Sequence, residues 1–167
     1  MQLNRILREG FIAGCIGAAI VAVWFLVIDA INGRPFFTPA MLGSAVFWGA
    51  HDPSGVVIEY SRIIGYTMIH VSAFVVVGCI AAALAAEVEV APSTLFLVVV
   101  GFCFFEVGFY ILVALLAKPL LGYLAWWNVA IGNCLAALAM GYYLWREHPQ
   151  IGEELRRHPL GETADGE

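Results

Sequence analysis

The chain has 167 residues, of which 62% are hydrophobic and 13% are charged, and its formal net charge is −5 at pH 7. Ordinary soluble domains carry about 25% charged residues, so this composition argues against a water-soluble fold and indicates a lipid bilayer as the solvent. The sequence contains no basic patch, which argues against nucleic acid as a partner.

Four long apolar runs follow one another along the chain, and each approaches or exceeds the length of about 20 residues that crosses the hydrocarbon core of a bilayer. We predict helices, because every backbone polar group must be hydrogen-bonded internally in lipid and no strand-like alternation is present. The chain is therefore predicted to be an all-α integral membrane protein with a four-helix transmembrane domain, followed by a polar, partly disordered C-terminal tail. The predicted spans are about 10–31, 63–86, 94–117 and 120–145, within a domain of 1–145, and the tail is 146–167.

The connection between the first two spans, residues 34–53, reads RPFFTPAMLGSAVFWGAHDP and is unusually apolar for a loop. Thr38 and Pro39 resemble a helix start, because a hydroxyl can cap a helix and proline is tolerated at its first position. The helix predicted over about 39–49 is too short to span, so we expect a re-entrant or interfacial helix. The residues expected to form a lid over the membrane half below it are Arg34, Phe36, Phe37 and Trp48.

Stripes of small residues lie on the first and fourth predicted spans. Gly10, Gly14 and Gly17 share one face of the first span, and such a stripe lets another helix approach closely. A similar stripe on the fourth span is formed by Asn133, Ala137 and Gly141. The pattern leaves open whether each partner helix belongs to this chain or to another subunit.

Basic residues set the expected orientation, because they concentrate on the cytoplasmic flanks of membrane spans. Four spans place both termini on one side, which carries five basic residues against three on the other. We therefore expect a multi-pass protein of the plasma (inner) membrane with both termini in the cytoplasm. The terminal side carries Arg5, Arg8, Arg146, Arg156 and Arg157, and the other carries Arg34, Arg62 and Lys118.

Several polar residues interrupt the apolar runs, and Glu106 is the strongest signal among them. A carboxylate in the middle of a span costs about 3 kcal/mol on insertion scales unless it is protonated, paired or facing water. At the helical rise of about 1.5 Å per residue, the leading candidates fall in the outer membrane half. We predict a polar outer pocket that serves as a binding site or a proton relay. Its residues are His70, Glu106, Asn128, Asn133 and Asp29.

Each of these residues also has a structural interpretation that stays open. His70 can be a hydrogen-bonded packing residue or the partner of Glu106, and the asparagines can join neighbouring helices. Asp29 can pair with Arg34 at the membrane surface.

The sequence predicts neither a catalytic residue nor a metal site. No pair of ligands at helical spacing accompanies the histidines, and no serine lies in a recognisable nucleophile motif. The four cysteines fall one to each apolar run and are expected to be buried small side chains. His70 shares a helical face with Tyr66 and Phe74, so a haem or chlorophyll-type pigment with His70 as axial ligand is the one cofactor that the pattern allows.

These features predict a non-catalytic subunit or binding module of a larger membrane assembly. Its expected partners are the lipid bilayer and either other membrane subunits or further copies of this chain. One alternative is a proton- or ion-coupled small transporter or channel component that uses Glu106 and His70. Another is a haem- or pigment-binding membrane anchor, and an enzyme acting on lipid at the outer face ranks last.

Overall fold

The computed structural model describes residues 2–49, 52–90, 100–104, 107–108, 111 and 126–152. This part of the chain is helical and contains no strand, which confirms the all-α prediction. Most of the third predicted span, including Glu106, lies outside the described residues. The principal helices are α1 (Gln2–Ile31), α2 (Phe37–Trp48), α3 (Tyr60–Val90) and α4 (Trp126–Glu147), with a short 3-10 turn at Pro53–Gly55.

Helices α1 and α3 pack with their backbones in close contact. A Cβ atom added at Gly78 of α3 would collide with the Gly10 carbonyl oxygen and the Gly14 backbone nitrogen of α1. Farther along α1, the Ala18 carbonyl oxygen lies 3.3 Å from Nε2 of His70. These contacts make the two helices antiparallel. The glycine stripe of the first span therefore faces a helix of the same chain, which answers the question that the sequence left open.

Helix α4 also packs against α1, beside α3. Met140 lies beside Gly17, so closely that a Cβ at the glycine would meet its sulfur, and the indole Nε1 of Trp24 donates a 2.9 Å hydrogen bond to the backbone oxygen of Asn128. Because residue numbers rise in α1 as they fall in α4, these helices are antiparallel. Helices α3 and α4 are consequently parallel, and the chain between them joins opposite ends of the bundle.

The buried face of α4 differs from the predicted small-residue stripe. A Cβ at Gly141 would meet no atom within 4 Å, whereas Gly132 is in contact with the Trp24 ring. The buried residues of α4 are Val129, Gly132, Ala136, Met140 and Leu144.

Helix α2 forms the short element predicted between the first two spans, and it packs mainly against the beginning of α3. Gly43 rests on the backbone of Arg62, and the Phe47 ring covers Gly65. The helix ends at Gly49, whose left-handed φ of 62° lets its N–H bond back to the carbonyl oxygens of Ala45 and Ser44.

The distribution of side chains differs from that in a soluble protein, where large apolar residues dominate the interior. The completely or almost completely buried positions include many alanines and glycines together with polar residues such as Glu9, Asp29 and Ser44. Some large apolar side chains, such as Met41 and Leu144, are buried, but many more lie outside. Among the exposed ones are Leu3, Leu7, Phe11, Val23, Val27, Ile64, Met68, Val76, Ile80, Phe104 and Leu138.

Helices α1 and α3 are long and apolar enough to cross a membrane, and among the described residues they alone meet that criterion. Only 28% of the most apolar stretch of α1 and 11% of that of α3 are buried. The core helix of a soluble protein would instead be mostly buried. The finding supports two of the four predicted spans by length and composition.

Candidate functional site

A polar site forms where α1 ends and α2 begins, and we name the two ends of the bundle outer and inner after the orientation that the sequence predicts. Asp29 is 5% exposed, and its two carboxylate oxygens accept 2.7 Å hydrogen bonds from the backbone N–H and the hydroxyl of Thr38. The prediction that Thr38 caps its own helix is therefore wrong. The N-cap position is Phe36, which has a φ of 65° and makes no side-chain cap. Instead of a cap from within α2, the Asp29 carboxylate of α1 accepts the backbone hydrogen bond at the start of α2.

A small cavity of about 60 Å³ lies beside this hydrogen-bonded pair. A space of this size holds a few water molecules or one small polar group, since a single water needs about 10–15 Å³ measured in the same way. The structure thus brings together four residues of the predicted pocket and lid: Asp29, Arg34, Phe37 and Asn128. Asn32, Thr38 and Met41 complete much of its wall.

Two of the four predicted lid residues belong to this cavity. The Arg34 guanidinium lies over the Phe37 ring at 4.0 Å from its centroid, so these side chains close one wall together. Phe36 and Trp48 are exposed and do not line the cavity. The Trp48 ring instead meets the Arg62 guanidinium at 5.1 Å.

His70 lies deeper in the bundle and does not line the cavity. Its Nε2 faces the Ala18 carbonyl oxygen at 3.3 Å, and its ring is sandwiched along one helical face between Tyr66 and Phe74, with centroid distances of 5.8 and 4.8 Å. This environment is that of a side chain that joins α3 to α1.

The two remaining predicted site residues lie elsewhere. Asn133 is half-buried in α4 and does not line the cavity. Glu106 falls outside the described residues.

A second polar site, not predicted from the sequence, lies at the other end of the bundle. Glu9 and His148 are each 1% exposed. Glu9 accepts a 2.8 Å hydrogen bond from Nε of Arg5 through Oε1, and its Oε2 lies 3.1 Å from Nε2 of His148. The other ring nitrogen of His148 lies 2.8 Å from Oε1 of Glu89. We call Arg5, Glu9, Glu89 and His148 the inner cluster.

The inner cluster unites three helices and the segment that follows α4. Arg5 adds a 3.0 Å hydrogen bond from Nη2 to the Glu147 backbone oxygen, and its Nη1 lies 3.8 Å from Glu89. An imidazole can donate from both ring nitrogens only when it is protonated. When both ring nitrogens of His148 carry a proton, the cluster holds two positive and two negative charges. Such a balance suits groups that are buried.

The sequence does not reveal this cluster, because Arg5 has the position of a charge that flanks a span and residues 146–167 have the composition of a polar tail. In the structure His148 and Ile151 are buried, so the first part of that segment packs against the bundle. One local signal was present. Arg5 and Glu9 are four residues apart on a helix, a spacing at which opposite charges pair.

The cysteines and possible metal ligands complete the list of reactive groups. Cys103 and Cys134 are exposed, so their expected burial is wrong, while Cys15 and Cys79 are half-buried. In the part of the chain that the structure describes, no group of three or more His, Cys, Asp or Glu side chains has the arrangement of a metal site.

No protein-family model, curated protein or solved structure matches this chain.

Proposed function

We propose that this chain is a multi-pass membrane protein that serves as a non-catalytic subunit or binding module of a membrane assembly. The observation that carries the proposal is the large number of exposed apolar side chains on long apolar helices, together with small residues at the helix contacts. Small residues at helix contacts are typical of membrane bundles, in which close backbone packing takes the place of a large apolar core.

The spacing of the two polar sites supports a membrane-spanning α1. Glu9 and Asp29 are buried at opposite ends of this helix, and the residues between them carry no charge. The rise of an α-helix puts these two residues about 30 Å apart, which matches the thickness of the hydrocarbon core. The inner cluster and the outer cavity thus fit the two levels at which a bilayer gives way to water.

The directions of the helices support four crossings. Because α3 and α4 are parallel, the chain between Val90 and Trp126 has to travel from one end of the bundle to the other. A third span over about 94–117 would do this and would leave both termini on one side. The greater number of arginines near the termini favours the cytoplasm for that side, with α2 as an interfacial helix at the outer face.

The chemistry of the polar sites supports binding or structural support over catalysis. Every buried side-chain nitrogen or oxygen of the described residues has a hydrogen-bond partner, as is expected of polar groups that hold helices together. The outer cavity, lined by Asp29, Arg34 and Asn128, has room for a small polar group or water. The exposed apolar faces of α1 and α3 then meet lipid or neighbouring subunits.

Native purification in mild detergent tests the proposal directly. We expect the chain in the membrane fraction, accompanied by other membrane subunits or by further copies of itself, as identified by mass spectrometry and native mass measurement. Recovery as a lone monomer would contradict the assembly role.

The same preparation separates the two rival functions. A visible absorption band that is lost in His70→Leu would favour the pigment anchor. Transport in vesicles that is lost in Glu106→Gln would favour the ion-coupled transporter.

A further inference from the structure

We propose that His148 is a proton-operated clasp, which fastens the segment after α4 to the helix bundle when it is protonated and releases it when it loses the proton. The proposal concerns the inner cluster alone, and it holds or fails independently of the outer cavity and of the assembly role. It starts from the position of His148 between two carboxylates, one on α1 and one on α3.

The segment that the clasp holds begins at His148 itself. His148 donates its backbone N–H to the Leu144 carbonyl oxygen at 3.0 Å, and Ile151 donates to the His148 carbonyl oxygen at 3.2 Å. Ile151 is 6% exposed, and Gly152 rests against the Trp145 indole. Loss of the His148 contacts would therefore free a short, packed segment rather than an isolated side chain.

The charged and polar groups around His148 come from all three helices packed there. Helix α1 supplies Arg5 and Glu9, and α3 supplies Glu89. Helix α4 contributes the backbone oxygen of Glu147, which accepts a hydrogen bond from Arg5. Tyr143 is close enough to Glu9, Glu147 and Arg8 for electrostatic interaction with their charges. The immediate neighbours of the imidazole ring are thus two carboxylates and one guanidinium.

The proton state of His148 decides whether both carboxylates are satisfied. An imidazolium donates to Glu9 and Glu89 at once, whereas a neutral imidazole has one N–H and one lone pair. After deprotonation one carboxylate therefore faces a lone pair at hydrogen-bond distance, which is repulsive in a buried site. The clasp is closed while the histidine is protonated and the two carboxylates are ionised, and it opens when the histidine loses that proton.

Hydrogen exchange at the Ile151 amide measures the opening. The full-length protein in detergent micelles is followed from about pH 5.5 to pH 8.5, the range in which histidine switches near neutrality, with rates corrected for intrinsic exchange. We expect protection of this amide to fall about tenfold or more as the pH rises, the effect of losing one hydrogen bond to a charged group. Unchanged protection over the whole range would overturn the proposal.

Three variants identify the group that responds. His148→Gln cannot carry the positive charge and should show low, pH-independent protection. Glu89→Gln keeps the histidine but removes one charged acceptor, so opening should shift to lower pH. Glu59→Gln, at the opposite end of α3, should behave like the unmodified protein. A pH-dependent opening that survives in His148→Gln, or an unshifted midpoint in Glu89→Gln, would show that His148 is not the switch.

Discussion

Glu9 and Asp29 are buried at opposite ends of one helix, and each is hydrogen-bonded to a different part of the chain. Asp29 holds the start of α2 through Thr38, and Glu9 holds the segment after α4 through His148. The stretch of α1 between them carries no charge. Helix α1 thus connects the other helices and has a polar contact at each end with an apolar surface between. We call the contact of Asp29 with Thr38 the outer joint and the contact of Glu9 with His148 the inner joint.

The outer joint predicts a specific loss of stability in Thr38→Val. The valine keeps the backbone bond to Asp29 but removes the hydroxyl, which leaves one buried carboxylate oxygen without its donor. Such a group costs about 1–3 kcal/mol, so the midpoint of thermal unfolding in micelles should fall clearly. Thr67→Val is the matched control, because the Thr67 hydroxyl bonds only to the Ile63 carbonyl oxygen on an exposed helical surface. An equal effect of the two substitutions would argue against the joint.

The inner joint predicts that Glu9→Gln is destabilising. Glu9 is almost fully buried but its partner Arg5 is 44% exposed, so the expected loss lies between about 1 kcal/mol for an exposed pair and about 3–5 kcal/mol for a fully buried one. Glu59→Gln removes a carboxylate that is 51% exposed and pairs with Arg62 at 3.3 Å, so it should change stability by about 1 kcal/mol or less. Chemical unfolding of both variants checks the difference. Similar losses would mean that Glu9 is better solvated than its burial indicates.

The contact between α1 and α3 predicts that Gly78→Ala is destabilising although alanine is the better helix former. The added methyl group would meet the backbone of Gly10 and Gly14, which cannot move without separating the helices. Overpacking of this kind costs about 1–3 kcal/mol. Gly141→Ala should be neutral or slightly stabilising, because its Cβ would enter open space. A loss of stability in Gly141→Ala as large as that in Gly78→Ala would refute this packing.

The loop between α2 and α3 contains Asp52, whose hydrogen bonds predict a local effect of pH. Hydrogen bonds from the Ser54 hydroxyl and backbone N–H hold the pKa of Asp52 below its usual value. Because the folded pKa is lowered, these bonds favour the folded loop above the ordinary carboxyl pKa of about 3.9 and are lost as the pH falls through the folded pKa. A carboxyl NMR titration should show the midpoint rising in Ser54→Ala. An unchanged midpoint would mean that these bonds do not form in solution, and Ser61→Ala serves as the control.

The local sequence pattern is sufficient to predict the helices and those cavity-lining residues that are close together in the chain. Apolar runs predicted α1, α3 and the short α2, because length and hydropathy dictate helices in lipid. Asp29 is predicted as a polar residue near the end of an apolar run, and Arg34 and Phe37 as part of the apolar connection that follows it. The structure adds Asn128 to them through the packing of α4 on α1.

Contacts between distant segments could not be derived from the sequence. The pairing of Glu9 with His148 joins residues far apart in the chain, and no periodicity encodes such a contact. Thr38 was misassigned for a related reason, since its hydroxyl satisfies the carboxylate of another helix instead of its own helix start. His70 has the aromatic face that the pattern predicted, but its neighbour is the α1 backbone.

Sided labelling of two single cysteines tests most directly the claim that α1 spans the bilayer with its N-terminus inside. In a variant whose four native cysteines are alanine, Asn32→Cys lies at the outer turn and Asn4→Cys near the inner end, and both positions are exposed. A membrane-impermeant maleimide should label Asn32→Cys in intact cells and Asn4→Cys only after permeabilisation. Labelling of both positions in intact cells, or recovery of the protein in the soluble fraction, would contradict the account.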